Sequence, residues 1–144
     1  MYPVRLEKLL DEIRESLALA KKIASLDYEE FMSDIRNRYT LRLALVEIVE
    51  AAVSIGLFIL RNILGIEKIE GYVQIIRKLV ENRILKPSIG EGIEKLVRLR
   101  NIIIHRYWEI DDSRIYREAR GNGLRIVEEF VKEVEEFVSR TRRA

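Results

Sequence analysis

Apolar residues recur at intervals of three and four along almost the whole chain, and no stretch alternates apolar and polar positions between turn signals, so the pattern predicts helices throughout. From Val4 to Ala24 the stripe Leu6, Leu9, Leu10, Ile13, Leu17, Ala20 and Ala24 marks an amphipathic helix. Asp27 is placed to cap a helix that carries Phe31 and Ile35, with Thr40 as the point where it bends or passes into the next segment, or runs on without a break. Residues 41–64 are apolar around most of the circumference, apart from a polar seam of Glu47, Glu50 and Ser54, and Gly65 stands where that helix would stop. This is the expected core helix.

A shorter amphipathic helix is predicted over 72–84 through Ile75, Ile76, Leu79 and Val80. Pro87 enforces a break, and Ser88 is placed to cap a helix through Ile93, Leu96 and Val97 towards His105. Asp111, Asp112 and Ser113 restart the chain. A last helix then packs Val127, Phe130, Val131, Val134, Phe137 and Val138, with Gly121-Asn122-Gly123 either breaking it or costing about 1 kcal/mol per glycine. With no linker, repeat or compositional boundary, residues 1–144 read as one all-α domain, an antiparallel bundle of five or six helices.

Composition narrows the chemistry. Cysteine is absent, which excludes disulfides, thiolate metal sites and a cysteine nucleophile, and makes a reducing, cytoplasmic setting the expectation. The N-terminal residues carry no basic leader ahead of an apolar stretch, and the longest uncharged run, residues 51–60, is half of the roughly 20 residues that a membrane span needs. A buried core helix, not a membrane segment, is expected there. Charged residues make up 35% of the chain at a net charge of only +2, yet Arg98, Arg100, Arg106, Arg114, Arg117, Arg120 and Arg125 gather around and after residue 105, leaving a basic patch and a solvated face as equal readings. No Gly-rich phosphate loop, no Gly-x-Ser-x-Gly elbow and no second His or Cys is present. Glu47 and Glu50 read as a polar seam more readily than as a metal pair, so neither a metal nor a cofactor is expected.

His105 is the only histidine, and Arg100 precedes it with four residues between. Imidazole gives and takes protons near neutrality, and Arg clamps a phosphate at two points, so the pair suggests phosphodiester chemistry. On a regular helix, however, five residues turn about 140° and rise about 7.5 Å, so the two side chains do not meet. Either the helix distorts near Ile104 or a second copy of the chain completes the site. Leu99, Ile102, Ile103 and Ile104 surround the helix with apolar surface, as a dimer contact would, or as the innermost helix of a monomer would with His105 bonded to a carbonyl. Tyr107 shares the Arg100 side of the helix with Ile89, Ile93, Leu96 and Ile103, the expected core face. Trp108 reads as packing in preference to a base-stacking platform.

The segment Arg100-Asn-Ile-Ile-Ile-His-Arg-Tyr107, followed by Glu109-Ile-Asp111 and a helix with Tyr116, resembles the signature of HEPN domains, and in particular the HepT-like toxins paired with minimal nucleotidyltransferase (MNT) antitoxins. The resemblance extends upstream to the helix from Arg42 to Ala52 and to Tyr72, Leu79, Glu81 and Ile84. It implies a metal-independent endoribonuclease that acts as a homodimer on RNA, with Arg100 and His105 catalytic and Asn101 supporting them. It further implies that a nucleotidyltransferase partner adenylylates Tyr107. The alternatives are a non-catalytic HEPN subunit that binds nucleotides or scaffolds a nucleotidyltransferase complex, and a helical oligomerisation protein.

Overall fold

The stripe read at the N-terminus forms helix α1, Val4–Ala24, and Leu6, Leu10, Ile13, Leu17, Ala20 and Ala24 are all buried. The structure is a computed structural model that describes residues 4–143; Met1 to Pro3, where a leader would begin, lie outside the described residues. Helix α2, Tyr28–Ser33, starts where expected, with the Asp27 carboxylate accepting the Glu30 N–H at 2.9 Å. The bend assigned to Thr40 falls earlier. Asp34 is extended, ends α2 and caps α3, Ile35–Phe58, by accepting the Arg36 N–H at 2.9 Å, so Thr40 lies inside a helix already under way.

Helix α3 is the core element. Leu41, Ala44, Leu45, Ile48, Val49, Ala52 and Ile55 are buried, and the helix continues through a π turn, Ile59–Ile63, before Gly65 turns the chain at φ +67°. By length and composition Ile35–Ile63 matches a membrane span, but 67% of its most apolar window is covered by the bundle. Helix α4, Tyr72–Glu81, leads to α5, Pro87–His105. Pro87 occupies the first turn, so Ser88 is already helical and not the cap; Lys86 is the cap residue, and its N–H donates to the buried Glu133 carboxylate at 3.1 Å. At Gly90 the two helices pack so closely that a Cβ would come within 2.4 Å of Val80.

Asp111 caps α6, Asp112–Glu118, by accepting the N–H groups of Ser113 and Arg114. The glycines after it do not break the helix. A π turn, Ala119–Gly123, joins α6 to α7, Leu124–Arg143, as one continuous helix, so the chain folds into six rods with no strand among the described residues. Helix α7 runs antiparallel to α1, shown by ion pairs in a seven-residue register: Glu7 with Arg142, Arg14 with Glu135 and Lys21 with Glu128. Two further ties bear on the region after His105. Arg42 holds Asp112 through two bonds of 2.8 and 2.6 Å, which raises the Arg42 pKa chiefly through that bonding. Arg120 donates to the carbonyls of Ala24 and Leu26 and to Tyr116, and so pins the π turn to the end of α1.

Candidate active site

Arg100 projects from the last third of α5 towards α3 and meets Glu50, Asn101 and Tyr72. Its Nε donates to Oε1 of Glu50 at 2.8 Å, its Nη2 ion-pairs with the same oxygen at 2.7 Å, and its Nη1 donates to Oδ1 of Asn101 at 3.0 Å. The Cζ atom of Arg100 lies over the Tyr72 ring, 4.9 Å from its centre. The Tyr72 hydroxyl donates to Oε2 of Glu50 at 2.7 Å, closing the cluster. That hydrogen bond, then burial and the charge of Glu50, raise the Tyr72 pKa against the opposing effect of Arg100. Tyr72, Arg100 and Asn101, with Gly71 and Val97, line a pocket of about 360 Å³.

Glu50 and Tyr72 are the residues that the sequence did not single out for the site. Glu50 belongs to the predicted polar seam, but it parts from its neighbour: Glu47 accepts a hydrogen bond from Ser16 at 3.1 Å, whereas Glu50 turns to Arg100. The two carboxylates are therefore committed to different partners. Among the described residues no group of three or more Asp, Glu or His side chains is placed to hold a metal ion.

His105 is the last residue of α5, exposed, and its ring makes no hydrogen bond among the described residues. The carbonyl contact open to it on sequence grounds is not formed. The helix is α-helical up to His105, so it does not distort near Ile104, and Arg100 and His105 stay about 140° apart around the axis. Asn101 stands between the two functions: it is one turn before His105 on the same side and accepts from Arg100.

Beyond His105 the expected geometry fails for a definite reason. Arg106 leaves the helix at φ −134°, ψ 50°, and a short 3₁₀ turn, Tyr107–Glu109, takes over. Tyr107 is consequently 71% exposed and does not face the core, and Trp108 is 68% exposed and packs only edge to face on Tyr107. Around them the arginines divide: Arg106 pairs with Glu109 and Arg120 bonds backbone, while Arg98, Arg114 and Arg117 are exposed. On α3, Ile35, Tyr39 and Leu43 form an exposed apolar stripe whose helical continuation is Val46 and then Glu50.

The sequence profile of the family described as Ribonuclease HepT-like matches residues 13–134. The chain belongs to the HepT-like family. Comparison with curated protein sequences returns no match. Among solved structures, the HepT-like chain is similar to an AMPylated HEPN toxin from Shewanella oneidensis, solved in complex with its MNT antitoxin, at 20% identity and a TM-score of 0.82 over 94% of this chain and 99% of that one. It is similar to the cytosolic protein YutE from Bacillus subtilis, described as of unknown function, at 18% identity and a TM-score of 0.81 over 95% and 90% of the two chains. A toxin–antitoxin structure with AMP-PNP matches at 18% identity and a TM-score of 0.81, over 91% and 97%. At these identities the likeness shows a shared helical fold, that of HEPN toxins.

Proposed function

We propose that this HepT-like chain is the toxin of a HEPN/MNT toxin–antitoxin pair, a metal-independent endoribonuclease of the cytoplasm that works as a homodimer. The observation that carries the reading is the exposed, unbonded His105 at the end of α5, one turn from the Asn101 that holds Arg100, in a chain of this family. His105 takes the proton of an RNA 2′-hydroxyl, the freed oxygen attacks the adjacent phosphorus, and the bond to the 5′-oxygen breaks. The imidazolium returns its proton to the departing oxygen, leaving a 2′,3′-cyclic phosphate and a 5′-hydroxyl. Arg100 stabilises the charge that develops on the phosphate, and Asn101 supports it.

The 140° between Arg100 and His105 is the reason for the dimer, since a second copy packed along α5 brings a His105 to the Arg100 side. The exposed stripe of Ile35, Tyr39 and Leu43 and the exposed Ile104 supply apolar surface for that contact. Tyr107, two residues from His105 and open to solvent, is the residue that the partner nucleotidyltransferase adenylylates; the added phosphodiester and adenosine obstruct the cleft.

His105→Ala tests the reading. It removes an exposed ring and should leave the fold unchanged while cleavage of RNA stops; the wild-type protein should cut in EDTA and yield cyclic phosphate ends. A second reading, a non-catalytic nucleotide-binding or scaffold subunit, is favoured by one observation: Arg100 is already bonded to Glu50 and Asn101. No cleavage by the wild-type chain would select it, whereas undiminished cleavage by His105→Ala would transfer the chemistry to other residues.

A further inference from the structure

We propose that Glu50 and Tyr72 are positioning residues for Arg100, fixing the guanidinium so that its remaining N–H groups meet the phosphate of the strand being cut; this rests on the nuclease reading above. A guanidinium carries five N–H donors in one plane. Glu50 takes the one on Nε and ion-pairs with Nη2 through the same oxygen, and Asn101 takes one on Nη1. At least one donor is left on each Nη atom, enough for a two-point contact with a phosphate. The Tyr72 ring lies beneath the guanidinium carbon, 4.9 Å from it, and limits movement in that direction, while its hydroxyl holds the second oxygen of Glu50 and stops the carboxylate from swinging away. The pocket shared by Tyr72, Arg100 and Asn101 gives the phosphate its way in.

The arrangement serves orientation more than stability. The Glu50 side chain is 41% exposed and Arg100 16%, and ion pairs near solvent contribute little to folding. Three groups from three helices nonetheless converge on one cation. Glu50 also places a negative charge beside the incoming phosphate, which weakens substrate binding. Glu50 therefore opposes substrate binding while it favours the reacting geometry.

That opposition gives the test a sign. In the full-length protein, Glu50→Gln keeps the size of the side chain and removes its charge. Turnover should fall about 100-fold, the loss expected when a catalytic group is misplaced by about 1 Å, while KM for the RNA stays level or drops. Tyr72→Phe keeps the ring, loses the bond to Glu50, and should lower kcat about tenfold. Nitrogen-15 NMR supplies a readout that does not depend on cleavage: the Arg100 Nε–H resonance, identified by its loss in Arg100→Lys, should be sharp in wild type and broadened by exchange in Glu50→Gln. Binding of a 2′-O-methyl oligonucleotide, which cannot be cut, should be retained or tightened in Glu50→Gln. An unchanged kcat in Glu50→Gln overturns the proposal and leaves the nuclease reading standing. A rise in kcat/KM also overturns it, because Glu50 would then only cover Arg100 until substrate displaces it. Loss of cleavage together with a collapsed melting temperature assigns the pair to the fold instead. A wild-type protein that cuts no RNA removes the nuclease reading, and this proposal with it.

Discussion

Gly121 and Gly123, two residues apart in the π turn of the last helix, should respond to alanine in opposite directions. A Cβ at Gly121 meets nothing within 4 Å. Alanine there only reduces the freedom of the unfolded chain, a gain of about 0.4–1 kcal/mol. A Cβ at Gly123 comes within 2.8 Å of the Glu118 carbonyl oxygen and within 3.5 Å of a Leu96 methyl group. The carbonyl belongs to the last residue of α6, which caps the π turn that Arg120 pins to Ala24 and Leu26, so it cannot retreat without moving those ties. Overpacking of this kind costs about 1–3 kcal/mol. For a domain of this size 1 kcal/mol corresponds to about 3 °C in Tm, so Gly121→Ala should melt about 1–3 °C higher and Gly123→Ala about 3–9 °C lower than wild type. Scanning calorimetry, with urea midpoints as a second measure, decides it. Equal destabilisation by both substitutions, or none at Gly123, would mean that the helix breaks at the glycines instead of passing through them in a π turn.

The proposed homodimer should appear by light scattering at micromolar concentration, and Leu43→Glu, which adds charge to the exposed stripe, should give a monomer with wild-type helicity; a Leu43→Glu dimer would move the interface elsewhere. Incubation with an active nucleotidyltransferase partner and ATP should add AMP to the wild-type chain and none to Tyr107→Phe, read by intact mass; an adduct mapped to another tyrosine refutes the assignment. Because Glu50, burial and the local charge raise the Tyr72 pKa above its ordinary 10.0, the folded state holds that proton more tightly than the unfolded one. Its contribution is full below pH 10 and is lost as the pH rises through the raised value. Urea midpoints should therefore decline above pH 10 in wild type more steeply than in Tyr72→Phe.

Local signals in the sequence carried the helices, and their failures are local too. The cap at Asp27 and the restart at Asp111 are visible because a short polar side chain stands just before an apolar period. Asp34 offers the same signal, but an apolar stripe that runs on past Ile35 hid it and drew the bend to Thr40. Tyr107 was misplaced by extending a turn of 100° per residue beyond His105, where Arg106 leaves the helix, and the same departure leaves Trp108, read as packing, exposed. Arg100, Asn101 and His105 were legible because they fall within one short segment. Glu50 and Tyr72 were not, since 50 and 28 residues separate them from Arg100 and only the packing of α3, α4 and α5 brings the three together. A charged residue in the seam of an otherwise apolar core helix was one available signal, and the family resemblance, which takes in Tyr72 and the helix that carries Glu50, was the other.

The apolar character of residues 35–63 also matters before the protein is finished. That segment leaves the ribosome with α1 already made but with α4, α5 and α6, which cover its other sides, still to come, the last of them roughly 55 residues from complete. At about 5–20 residues per second, the nascent chain presents it incompletely covered for roughly 3–11 s. During that interval it offers targeting factors and chaperones the same length and hydropathy as a membrane segment, so synthesis of this protein should draw on holdase capacity, and its yield should depend on chaperone supply more than the stability of the folded product suggests.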